Sequence, residues 1–282
     1  MASPERPGSA PRPGVDRPDL SLVVPFYNPG PVVRHTVERA GRALERSGVS
    51  YEIIAVSDGS TDDSERTLVG LLPGILETVT LETNRGKGYA VRFGMQRARG
   101  RFVGFIDADG DIPPEILSEF VAAAGQDADI VFGSKRHPAS SVEVPLVRRL
   151  YSWGYRTLVR ALFHLSVPDT QTGIKLVRAE VVEAVLPAMV QERFAFDLEL
   201  FVLAQRFGFD RFVELPVRVD KQYSTTVSFR SVCSILWGTL NISWRLRSSG
   251  QPPARAGLET ETREGDLMDP GSGVPQEDPD PR

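Results

Sequence analysis

The chain has 282 residues, a formal net charge of -4, 41% hydrophobic and 25% charged residues, a composition that excludes collagenous, coiled-coil and wholly disordered classes. One cysteine, Cys233, allows neither an internal disulfide nor a thiolate zinc site, which points to an intracellular setting. No apolar run reaches the roughly 18 residues of a spanning helix, and the first twenty residues lack the apolar stretch of a signal peptide.

Residues 1–19 hold five prolines and balanced charge, which predicts a disordered tail. Leu20–Phe26 reads as a strand, and Pro31 suits the first position of a helix over Val32–Ser47 that stops at Gly48. Tyr51–Val56 is a second strand, followed by a turn and a helix opening near Thr61 or Asp62. Glu77–Leu81 is a third strand, Gly88–Ala98 a helix, and Arg101–Ile106 a fourth, strongly apolar strand. Pro113-Pro114 opens another helix, and Asp129–Gly133 is a fifth strand. Pro145–His164 reads as a long helix carrying Arg148, Arg149, Arg156 and Arg160. A loop over Val167–Gly173 leads to a strand, Ile174–Val177. Then come a helix over Phe194–Phe207, a strand over Phe212–Val219 and an amphipathic helix over Ser228–Leu246. Residues 251–282 add six prolines, eight acids and three bases, a second predicted tail. The body between the tails, residues 20–250, is near neutral and gives no basic field for nucleic acid, so no nucleic-acid partner is expected.

The alternation predicts one α/β domain over 20–250, with a mainly parallel sheet and helices on both faces. Ligands in such sheets bind beyond the carboxyl ends of the strands. Polar clusters stand there after five strands: Tyr27-Asn28, Ser57–Ser60, Asn84–Gly88, Asp107–Asp109 and Ser134–Arg136. Asp107, Asp109 and Asp111 fall within five residues after a buried-looking strand. Such hard oxygen ligands suit Mg²⁺ or Mn²⁺ carrying a diphosphate; a turn at Asp109-Gly110 with a helix cap at Asp111 is the plainer alternative. Asp58 could accept hydrogen bonds from a base or ribose, or simply close an Asx turn. Asn84-Arg-Gly-Lys-Gly88, with Arg85 and Lys87, opens a helix whose amides can meet an anion. Lys135, Arg148 and Arg149 are placed to neutralise a leaving diphosphate or an acceptor phosphate. His35, His137 and His164 make no ligand spacing.

In order along the chain, Val24-Pro-Phe-Tyr-Asn28, Ser57-Asp-Gly-Ser-Thr-Asp62, Asn84-Arg-Gly-Lys-Gly88 and Asp107-Ala-Asp-Gly110 resemble the family 2 glycosyltransferases of GT-A fold. Gly133-Ser-Lys-Arg-His137, Asp169-Thr-Gln-Thr-Gly-Ile-Lys175 and Arg193-Phe-Ala-Phe-Asp-Leu-Glu199 narrow the likeness to the dolichyl-phosphate β-glucosyltransferase and polyprenyl-phosphate sugar synthase branch. The resemblance implies that Pro25 and Tyr27 flank the nucleotide base and Asp58 binds base or ribose. It implies that Asp107 contacts ribose or metal, Asp109 holds the metal, and Asp111 adds a ligand. Asp169, Gln171 and Lys175 would line the acceptor-side loop, and Asp197 and Glu199 would belong to the helix bordering the sugar site. Ser57, Pro29-Gly30 and Lys135 depart from the usual pattern, Lys135 standing where relatives carry arginine. The reaction so implied is inverting transfer of a sugar, glucose from UDP-glucose first, to a polyprenyl or dolichyl monophosphate at the cytoplasmic face of a membrane. The partners are then the nucleotide-sugar donor, the lipid and a membrane-protein partner. A phosphate acceptor is already anionic at pH 7; a hydroxyl acceptor would need a base, for which Asp197 is the candidate. GDP-mannose or UDP-HexNAc donors, a soluble acceptor, and a non-catalytic donor-binding subunit stay open as alternatives.

Overall fold

Alternation in the first strand, β1 (Leu20–Phe26), sets the layering: Leu20, Leu22, Val24 and Phe26 face one side of a sheet and Val23 the other. A computed structural model describes residues 17–125, 127–140, 146–219 and 229–248, without the side chains of 146–152 and 229–233. The helix α1 (Val32–Ser47) follows β1 and ends at Gly48, whose φ of 69° needs no Cβ. Then come β2 (Tyr51–Ser57) and a single turn, α2 (Ser64–Thr67). The helix expected to open near Thr61 or Asp62 opens at Ser64 and stays one turn long, with Gly70, Leu72 and Gly74 all at positive φ beyond it.

Next are β3 (Leu76–Thr80), α3 (Lys87–Arg97) and β4 (Phe102–Ile106). Pro114–Ile116 forms a 3-10 turn that runs into α4 (Leu117–Ala124), and β5 (Ile130–Ser134) follows. The second half holds α5 (Leu146–Phe163), β6 (Ile174–Arg178), α6 (Ala179–Val185), α7 (Phe196–Arg206), β7 (Phe212–Pro216) and α8 (Phe229–Ser248). The sequence reading has no counterpart to α6, whose Val181, Val182 and Val185 nonetheless face the core.

The described strands form one sheet in the order β3-β2-β1-β4-β6-β5-β7. Pairing is parallel except on both sides of β6, which runs antiparallel to β4 and β5. Helices cover both faces: α1 and α4 on one, and α3, α6 and α7 on the other with Val159 of α5 and Ile242 of α8. Tyr155 of α5 and Thr239 of α8 share a hydrogen bond of 3.2 Å. Of the two expected tails only Arg17–Asp19 lie within the described residues, and these are tied down: Arg17 donates to the Arg99 carbonyl, and Asp19 accepts from Ser50. Among the described residues no helix is long and apolar enough to cross a membrane.

Candidate active site

Strand order reverses between β1 and β4, so the loops leaving their carboxyl ends diverge and open a cleft, the place where such sheets receive ligands. Tyr27, directly after β1, is half exposed at this edge. Pro25 does not share that position. It is buried inside β1 opposite Val56.

Asp58 directly follows β2 and is 3% exposed. Its two carboxylate oxygens accept the backbone N–H groups of Arg85 and Gly86, each at 2.8 Å. Asp58 therefore builds the loop in front of α3 instead of projecting into the cleft. The same loop is clamped from the other side. A Cβ on Gly86 would stand 2.7 Å from the Glu192 carbonyl, and one on Gly88 would stand 2.7 Å from Phe196 Cβ. Arg85 lies 3.6 Å over the Tyr89 ring and pairs with Glu192 at 2.6 Å. This fixed loop places Lys87, which forms an ion pair with Asp107 just beyond β4. Burial works against the Lys87 ammonium, but the Asp107 and Asp197 carboxylates more than offset it, and its pKa lies above the usual lysine value.

Asp107 is also held by the chain opposite. Its N–H donates to the Gly173 carbonyl at 2.9 Å, and Gly173 has no room for a Cβ because the Asp107 carboxylate fills that space. The sequence reading passed over Gly173; its signal was a glycine immediately before an apolar strand. Asp109 accepts the Asp111 N–H at 3.1 Å, an Asx turn as in the plainer reading. Its side chain reaches solvent, yet protein crowds the rest of it; this dehydration and the neighbouring Asp107 carboxylate push it up to about 6. Asp111 is likewise raised, by burial, against the pull of Lys135. One oxygen of Asp111, Oδ1, is buried with no hydrogen-bond partner.

Two crowded carboxylates with elevated pKa values, one carrying an orphaned oxygen, form a donor set short of cations. They suit Mg²⁺ or Mn²⁺, which take one or two carboxylates and complete their shell with water and substrate phosphate. Among the described residues no three His, Cys, Asp or Glu side chains gather as a complete metal site. Asp109 and Asp111 are the residues that would hold the ion, while Asp107 is already engaged by Lys87.

On the far side of the cleft, Asp169 Oδ2 accepts the Lys135 N–H at 3.0 Å and the Thr172 hydroxyl at 2.8 Å, and its Oδ1 accepts the Gln171 N–H at 3.3 Å. Asp169 thus joins the loop after β5 to the loop before β6, and Gln171 stands exposed on it. Arg148 and Arg149 lie in the first turn of α5, and their side chains fall outside the described residues.

Two placements correct the sequence reading. Lys175 does not line the acceptor loop: it is fully buried in β6, donating to the Thr172 carbonyl at 2.8 Å and to Asp197 Oδ1 at 2.6 Å. Asp197 is sealed beneath the cleft by that bond, 3% exposed, and is not positioned as a base for a substrate hydroxyl. Burial pulls Lys175 below and Asp197 above their ordinary pKa values. Glu199 is buried farther along α7, accepting the N–H groups of Val190 and Gln191 and pairing with Arg245 of α8. It braces two helices.

The glycosyl transferase family 2 model matches residues 21–186, which spans every strand of this sheet but β7. Among curated proteins, the chain is 33% identical over 204 residues to a dolichyl-phosphate beta-glucosyltransferase of Drosophila melanogaster, covering 66% of this chain and 63% of that protein. It is 32% identical to the Homo sapiens protein of the same name over 206 residues (67% and 63%) and 30% to that of Dictyostelium discoideum over 217 (69% and 64%). The chain therefore spans a little under two thirds of the length of these relatives. Among solved structures, glucosyl-3-phosphoglycerate synthase from Mycobacterium tuberculosis, crystallised with Mn²⁺, UDP and phosphoglyceric acid, superposes with a TM-score of 0.62. That match, at 18% identity over 80% of this chain and 78% of the other, reports a shared GT-A fold. On the family match and the sheet that carries it, the chain belongs to glycosyl transferase family 2.

Proposed function

We propose that the chain transfers a hexosyl group, glucose from UDP-glucose in the first instance, to the phosphate of a dolichyl or polyprenyl monophosphate, inverting the anomeric centre. The observation that carries this reading is the gathering of Lys87, Asp107, Asp109 and Asp111 at the switch point of the sheet. The names of the relatives support the lipid acceptor and the sugar.

In this reading Tyr27 faces the base and the Asp58-braced loop presents Lys87 to the diphosphate. A divalent cation held by Asp109 and Asp111 would supply charge neutralisation for the leaving group. Lys87 and Lys135 add positive charge from the protein itself, aimed where negative charge grows as the glycosyl bond breaks. No general base is required, because the acceptor phosphate has its second pKa near 6 and attacks as an anion. That requirement agrees with the sealing of Asp197. What remains for the protein is alignment of two anions in one cleft.

A lipid acceptor places the cleft at a membrane surface, and two helices suit one. The helices α5 and α8 contain seven arginines (four and three) and no acid. All three tryptophans of the chain, Trp153, Trp237 and Trp244, stand on them at least 60% exposed. Exposed tryptophans on helices rich in arginine and free of acid suit the headgroup layer of an anionic bilayer. A cytoplasmic-face enzyme working with or without a membrane-protein partner is the corresponding localisation.

The test is incubation of the purified chain with labelled UDP-glucose, Mn²⁺ and dolichyl phosphate, followed by organic extraction. Label in the lipid phase with β configuration is the expected result. Label confined to free glucose or to a soluble acceptor would overturn the lipid assignment, and turnover of GDP-mannose or a UDP-HexNAc instead would overturn the sugar. Flotation with phosphatidylserine vesicles tests the surface: Trp237→Ser with Trp244→Ser should leave the protein in the soluble fraction.

A further inference from the structure

Beneath the cleft, two lysines approach one aromatic ring. Lys87 Nζ lies 5.5 Å from the Phe105 centroid and Lys175 Nζ lies 4.9 Å from it. Phe196, whose ring centroid is 5.6 Å from that of Phe105, brings the next residue, Asp197, against Lys175 at 2.6 Å. Asp197 also acts electrostatically on Lys87, and Lys87 pairs with Asp107 at the cleft floor. Charges therefore alternate from the core outward: Lys175, Asp197, Lys87, Asp107.

Two of these four have no access to a ligand, since Lys175 is fully buried and Asp197 nearly so. An apolar pair of similar volume would hold β6 against α7 as well or better. What an apolar pair does not provide is a fixed negative charge behind Lys87. Lys87 has Asp107 on its cleft side and the field of the Asp197 carboxylate on its core side. Lys175 in turn fixes the Asp197 carboxylate, with the Thr172 carbonyl holding the ammonium on its other side.

We propose that Lys175 and Asp197 are positioning residues that hold Lys87 in place for the donor diphosphate. This rests on the nucleotide-sugar reading of the cleft. The pair touches no substrate and acts through Lys87 alone, so its removal should matter only while Lys87 is present.

The test uses the full chain in four forms: wild type, Lys175→Met with Asp197→Leu, Lys87→Met, and the triple variant. Each is measured for melting temperature, for UDP affinity in Mn²⁺, and for kcat and KM with UDP-glucose and dolichyl phosphate. The expected result is a paired variant that melts close to wild type but loses at least tenfold in kcat with a much smaller change in KM. In the Lys87→Met background the same pair of substitutions should produce no further loss, the signature of action through one residue. Lys175→Gln with Asp197→Asn, which stays close in shape and neutralises both positions together, carries the same expectation should the apolar pair disturb folding. Wild-type kcat in the paired variant, or losses that multiply in the Lys87→Met background, would overturn the inference. A wild-type chain that neither binds UDP nor turns over UDP-glucose would instead overturn the functional reading on which it stands.

Discussion

Gly173 provides the sharpest test of the cleft geometry. A methyl group there overlaps the Asp107 carboxylate and stands 3.1 Å from Asp107 Cβ, so Gly173→Ala forces that carboxylate aside. Restoring ordinary contact of ~3.5 Å moves it by more than about 1 Å. The movement breaks the ion pair with Lys87 and withdraws Asp107 from the floor of the site. Misplacement on that scale costs about 10²-fold in rate, or about 2.7 kcal/mol in the transition state. The strain on the fold is of the order of an overpacked core, about 1–3 kcal/mol. Transfer kinetics and urea denaturation on the same preparation separate the two effects. Gly154→Ala is the control, since a Cβ there meets nothing within 4 Å and the site is on an exposed helix. The reasoning is refuted if Gly173→Ala keeps wild-type kcat/KM, or if its loss of activity follows only its loss of folded protein.

Asp58→Ala leaves the Arg85 and Gly86 amides without their acceptor and should destabilise by about 1–3 kcal/mol per amide, read from urea denaturation, with UDP affinity falling as Lys87 loosens. Glu199→Ala removes the acceptor of the Val190 and Gln191 amides and the carboxylate paired with Arg245, which keeps neutral acceptors such as the Ala188 carbonyl, for a loss of about 3–5 kcal/mol in the same assay and little change in KM. For Asp109 the sign follows from its raised pKa of about 6: the folded chain binds this proton more tightly than the unfolded chain. Its stabilising contribution is complete below about pH 4 and is lost as the pH rises through about 6. A cation needs the ionised form, so the rise in melting temperature produced by Mn²⁺ should grow from pH 5 to pH 7 and flatten in Asp109→Asn.

Most strands were legible because short, near-continuous apolar runs end in turn-forming residues, and β1 spans Leu20–Phe26 in both readings. The polar clusters fell at one edge because each follows such a run. The position of β6 was not legible: its insertion between β4 and β5, and its reversed direction, depend on packing among residues far apart in the chain. Lys175 and Asp197 were misread for a related reason. Motif order marks them as belonging to the site without saying on which side of the backbone they lie. A signal was present: Lys175 interrupts an apolar strand, and Asp197 sits in an apolar helix start, Phe-Asp-Leu-Glu-Leu-Phe. Charged residues in such settings require buried partners. How short α2 is was not legible, because two glycines and a leucine at positive φ act only in combination.

The insertion of β6 also governs how the chain acquires its shape. Until residues 174–178 arrive, β4 keeps an open edge and β5 has no link to the strands before it. Synthesis must therefore pass roughly the middle of the chain before the sheet can close, a high contact order that slows folding and exposes an edge able to recruit other chains. The same step brings Gly173 against Asp107, so closure of the sheet and assembly of the cleft are one event. A nucleotide that fits the cleft would thus select against every partly folded chain, and resistance to proteolysis on adding UDP should extend across the whole domain.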